Sequence, residues 1–90
     1  MADSNITVEA IRTEIKRLVA EVTERQPEEI SDTATFGEEL GVDSLMALEI
    51  MVAVDQKYKI SMPEEEFKKL TNVDQTVELV QRCLSRAATA

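Results

Sequence analysis

Apolar residues recur at spacings of three and four along three stretches of this 90-residue chain, a rhythm that leaves room for little besides packed α-helices. Val8, Ile11, Ile15, Leu18, Val19 and Val22 lie on one stripe at about 100° per residue, which predicts a helix over 8–23 with Thr7 as its N-cap. Its end is expected near Gln26-Pro27, because a residue before proline resists helical geometry. A second helix is expected over 44–58, capped by Asp43 or Ser44. Pro63 suits the first position of a short third helix over 64–70, and Glu64, Glu65 and Glu66 favour the positive end of its dipole. Asn72, with Gln75 three residues on, opens a fourth helix whose stripe is Val73, Val77, Val80, Cys83 and Leu84. Two glycines, two prolines and 3% aromatic residues argue against a turn-rich β sandwich. The expected fold is all-α: a small four-helix bundle of three main helices and one short one. It forms a single domain over 1–90, with a core over about 8–86 and both termini, including Ala87 to Ala90, frayed.

The connection over 27–43 is long for so small a domain, and loops of that length are often functional. It is polar except for Ile30, Phe36, Leu40 and Val42, spaced as plugs that pin a loop to a core. The second helix is unusual in carrying apolar residues on two sides. Ala47, Ile50, Met51, Val54 and Tyr58 cluster on one; Leu45, Leu48 and Val52 cluster on the other, beside Glu49, Asp55 and Gln56. The polar company marks the Leu45 side as the outer one, available for docking another protein.

Charge sharpens this reading. The chain carries a formal net charge of −8, and Glu28 to Glu66 alone hold eleven acids against two bases, a net of −9. Acidity concentrated in the middle repels phosphates, so neither nucleic acid nor an anionic membrane is expected as a partner; basic protein surfaces are. No run approaches the ~20 apolar residues of a membrane span, and the opening MADSNITVEA has no signal-peptide pattern. The lone Cys83 has no internal disulfide partner. The expected setting is the cytoplasm, and the expected state a monomer.

Catalytic and metal chemistry find no footing. There is no histidine, hence no usual general base, and one cysteine cannot build a zinc site. Asp32 to Asp43 has the length of a calcium loop with Gly37 at its sixth place, yet Ala34 and Phe36 offer no oxygen at the third and fifth. Cys83 lies on an apolar stripe and reads as core. What remains is Gly41-Val42-Asp43-Ser44-Leu45, a serine at the mouth of a helix behind a glycine-bearing loop. Taken alone, Asp43-Ser44 is a helix cap, although unpaired first-turn N–H groups also suit a phosphate there.

This segment resembles the modification motif of the acyl carrier proteins, whose serine receives 4′-phosphopantetheine from coenzyme A. Pro27-Glu28-Glu29-Ile30, Phe36, Glu39-Leu40-Gly41, Glu49, Tyr58, Met62-Pro63, Leu70-Thr71 and Val73 stand at family-like spacing, so the resemblance covers about residues 8–86. It implies a non-catalytic carrier that holds acyl intermediates as thioesters on an arm at Ser44, flanked by Asp43 and Leu45. It implies Leu45, Leu48, Val52, Glu49, Glu38 and Glu39 as the partner face, and Ile50, Val54 and Tyr58 as an interior that shelters an acyl chain. The implied partners are a phosphopantetheinyl transferase, then ketosynthases, acyltransferases and related enzymes with basic patches. Fatty-acid carriers commonly have an acid after the Ser-Leu pair; here Met46 stands there, and 43–49 look more like carriers of polyketide pathways. The chain looks freestanding rather than part of a multidomain synthase. An unmodified helical adaptor using the Leu45 face is the alternative reading from another class. A peptidyl or aminoacyl carrier is a further alternative, against which Val42 weighs, since that branch often has a second glycine before the serine.

Overall fold

The computed structural model describes the backbone of residues 7–89 and the side chains of 7–86. It is all-α among those residues, with four helices: α1 Val8–Thr23, α2 Ser44–Tyr58, α3 Glu64–Lys68 and α4 Val73–Thr89. A 3-10 turn at Pro27–Glu29 interrupts the long loop. The expected four-helix bundle is what forms, three long helices and one of five residues.

Helix α1 is the element the others share: it packs on α4, on α2 and on the 3-10 turn. Its stripe is closed off as the periodicity predicts, with Ile11, Ile15, Leu18 and Val19 buried. Val8 is the exception. It sits in the opening turn, where neighbouring helices no longer cover it, and is 40% exposed rather than core. Thr7 caps the helix by accepting the Ala10 N–H at 3.1 Å. The other end falls at Thr23, as the spacing predicts, but proline is not what sets it. The helix stops at Thr23 because Glu24 turns left-handed at φ 58°, so that the Arg25 N–H can close on the Ala20 carbonyl at 2.8 Å. Termination thus precedes the Pro27 restriction by a full turn.

The loop plugs do their work. Ile30, Phe36 and Leu40 are buried and Val42 is half-buried against the same core. Backbone hydrogen bonds hold the loop as well: the Phe36 N–H donates to the Thr71 carbonyl at 2.8 Å, and the Asp74 N–H donates to the Asp32 carbonyl at 3.2 Å. The long connection is therefore a packed element with fixed ends.

Helix α3 begins at Glu64 as predicted but ends sooner, and Pro63 flanks it instead of taking its first position. Pro63 has extended geometry (ψ 129°), which makes it the flanking residue, and Lys69 and Leu70 fall beyond the last helical residue. Helix α4 opens on a capping box shifted by one position. Asn72 Oδ1 accepts the Gln75 N–H at 2.9 Å, while Gln75 Oε1 reaches back to the Thr71 N–H, also at 2.9 Å. Its buried face is wider than the predicted stripe, because Leu79 and Thr76 are fully covered too. Thr76 satisfies its hydroxyl by donating to the Asn72 carbonyl at 3.0 Å. The helix takes in 87–89, three of the four residues expected to fray. Ala90 and residues 1–6, the rest of the expected frayed ends, lie outside the described residues.

Candidate functional site

The site is built where the loop delivers the chain into α2. Gly41 adopts φ +73°, a left-handed turn that glycine takes without steric penalty. The chain then extends through Asp43, whose Oδ1 accepts the Met46 N–H at 2.9 Å and caps the helix. Of the two capping candidates, Asp43 is the one used. Ser44 is therefore the first helical residue with no capping duty. It is exposed, and its hydroxyl has no hydrogen-bond partner among the described residues.

Helix α2 carries this serine above two different surfaces. On the inner side Ile50 and Val54 are sealed into the core, with Ala47, Met51 and Tyr58 packed partly against it. On the outer side Leu45, Leu48 and Val52 are 67%, 40% and 48% exposed. The two-sided wheel thus resolves as one core face and one open apolar face, which no other helix among the described residues covers. A shallow groove of about 360 Å³ lies along that face beside Leu48, Glu49, Val52 and Gln56. Glu38, Glu39, Asp43 and Glu49 are all exposed, and Glu49 borders the groove. Glu39 also has a local job: its Oε1 accepts the Thr35 N–H at 2.8 Å and so closes the turn leading to Gly41.

A recess of about 600 Å³ opens beside Ser44, between the loop, the start of α2 and α3. Phe36, Val42, Ala47, Leu48, Phe67 and Leu70 supply its apolar wall. Asp43, Ser44, Glu64 and Lys68 supply its polar part. The residues expected to shelter an acyl chain, Ile50, Val54 and Tyr58, stand apart from it. They follow Ala47 down the helix, where rotation turns them onto α1 and the closed core, and burial pushes the Tyr58 phenol above its usual pKa. Phe67, Leu70 and Lys68 were missed by sequence reasoning. Phe67 is an apolar residue in a short helix after Pro63, which reads equally well as ordinary core; Leu70 stood only within the family-like pattern, and Lys68 gave no signal.

Elsewhere the candidates are plain. Cys83 is buried, and desolvation raises its thiol pKa, which removes nucleophilic character at neutral pH. It borders a cleft of about 410 Å³ with Lys59, Ile60, Ser61 and Arg86, lined by none of the residues around Ser44. No helix among the described residues is long and apolar enough to cross a membrane.

An exposed, unbonded hydroxyl beside a part-apolar recess is a fit place to tether a flexible arm. Residues 13–80 match the family model described as "Phosphopantetheine attachment site". The chain belongs to the acyl carrier protein family. A relative from Wolinella succinogenes, an "Acyl carrier protein", is 36% identical over 72 residues, spanning 80% of this chain and 95% of that protein. The family cofactor is 4′-phosphopantetheine. Acyl carrier proteins are carriers, generally without catalytic activity of their own.

Proposed function

We propose that Ser44 is the residue esterified with 4′-phosphopantetheine, by a phosphopantetheinyl transferase using coenzyme A and magnesium. The single observation that carries the reading is the exposure of its hydroxyl at the first position of α2, relieved of capping by Asp43. Ser44 needs no base within this chain, because its proton passes to the transferase as coenzyme A's pyrophosphate linkage breaks, adenosine 3′,5′-bisphosphate leaves and the Ser44 phosphodiester forms. When bound, the arm supplies a terminal thiol on which acyl groups ride as thioesters. Tethering replaces free diffusion with a high local concentration at each partner, and that is a carrier's contribution.

Leu45, Leu48 and Val52 dock the partners, and Glu38, Glu39, Asp43 and Glu49 steer basic surfaces toward them. Those partners are ketosynthases, acyltransferases and related acyl-processing enzymes, met by a monomeric carrier in the cytoplasm. Met46 in place of an acid after Ser44-Leu45 supports polyketide rather than fatty-acid biosynthesis. Incubation with coenzyme A, magnesium and a broad-specificity transferase tests the attachment. Intact mass should rise by one phosphopantetheinyl group, and Ser44→Ala should not gain it. No gain under conditions that load a control carrier would return the protein to the class of unmodified adaptors.

A further inference from the structure

We propose that Lys68 is the counter-charge for the phosphate that Ser44 acquires, a positioning residue that holds the root of the arm at the mouth of the recess. The inference rests on the attachment reading and goes beyond it. Ser44 comes from α2 and Lys68 from the last residue of α3, yet both line the same recess. Of the charged side chains lining that recess, Asp43 and Glu64 are carboxylates and Lys68 is the cation. Lys68 is exposed and forms no ion pair with any described residue.

Electrostatics gives that lysine a task. A phosphodiester is a permanent monoanion at neutral pH, and here it arises next to Asp43 in the most acidic part of the chain, which carries net −9 over 28–66. Like charges at that spacing oppose it. An ammonium on the facing helix offsets the opposition and draws the phosphate toward α3, away from Leu45 and Val52, which do not line the recess; Leu48 borders both surfaces. The arm then starts out over the apolar wall of Phe36, Phe67 and Leu70, and the docking residues Leu45 and Val52 stay clear. Lys69, the adjacent cation, is also exposed but does not line the recess, which makes it an internal control.

The test is phosphorus-31 NMR of the holo-protein, which carries a single phosphorus, after intact mass has shown full loading. Lys68→Gln should move the resonance, Lys68→Arg should largely restore it, and Lys69→Gln should leave it near the wild-type position. In wild type the side-chain signals of Lys68 should shift between apo and holo forms while those of Lys69 stay. A phosphorus resonance that is the same in Lys68→Gln as in wild type, with loading complete, overturns the role of Lys68 and leaves attachment at Ser44 intact. Absence of any mass gain overturns the attachment, and this inference with it.

Discussion

Lys16 and Asp32 lie 2.6 Å apart, ammonium to Oδ1, and this pair fastens the long loop to α1. Oδ1 is shielded from solvent and meets the ammonium as an ion pair rather than as a well-aligned hydrogen bond. Arg12 adds a second cation 3.4 Å from Oδ2 and also binds Asp74 at the start of α4. Three elements meet in this cluster, so the loop that delivers Ser44 is held by charge as well as by its apolar plugs.

Lys16 and Arg12 hold the Asp32 carboxyl below its usual pKa, and Arg17 does the same for Glu14. Both carboxyls bind protons less readily folded than unfolded. Their contribution is therefore complete above the ordinary carboxylate pKa of about 4 and lost as pH falls through the lowered folded values. Because these side chains are partly exposed, Asp32→Asn should cost only about 0.5–1 kcal/mol at pH 7. Urea melts at a series of pH values should show the gap from wild type closing in acid; a gap independent of pH would contradict this account.

Glu24 holds a left-handed conformation at the end of α1, and its negative charge faces the negative end of the helix dipole. Glycine relieves both. Glu24→Gly should raise stability by about 0.5–1 kcal/mol, despite the greater freedom glycine gives the unfolded chain. A melting temperature at or below wild type would mean that the strain is illusory.

Asp43 and Ser44 should separate cleanly. Asp43→Ala removes the cap on the Met46 N–H and should cost about 1 kcal/mol, whereas Ser44→Ala should change stability by a few tenths at most. Circular-dichroism melts of the two variants decide it. Equal losses would show that the serine hydroxyl bears structural load.

Leu48 is 40% exposed on the outer face of α2. Leu48→Glu should leave the thermal transition in place while lowering turnover with acyl-processing partners about tenfold or more, since a charge now sits in an apolar contact. Loss of the cooperative transition would reassign Leu48 to the core.

Much of this was legible without coordinates because helix signals are local. The stripe of Ile11, Ile15, Leu18 and Val19, the caps at Thr7, Asp43 and Asn72, and the limits of α2 follow from spacing and side-chain chemistry within a few residues. The division of α2 into an inner and an outer face was readable for the same reason, from the polar neighbours of Leu45, Leu48 and Val52. Local rules failed where a partner from elsewhere in the chain set the outcome. Val8 has the right spacing for the core yet is 40% exposed, because no neighbouring element among the described residues closes over it.

By itself, then, the sequence determined which segments coil, which faces are apolar, and that a serine stands at the head of α2 in an acidic neighbourhood. Only the tertiary structure decided what faces that serine. The recess beside Ser44 is assembled from Phe36 in the loop, Ala47 in α2, and Phe67 and Lys68 in α3. Whether such residues form a wall or a closed core depends on how separate elements come to rest against one another. Periodicity along a single helix carries no information about that.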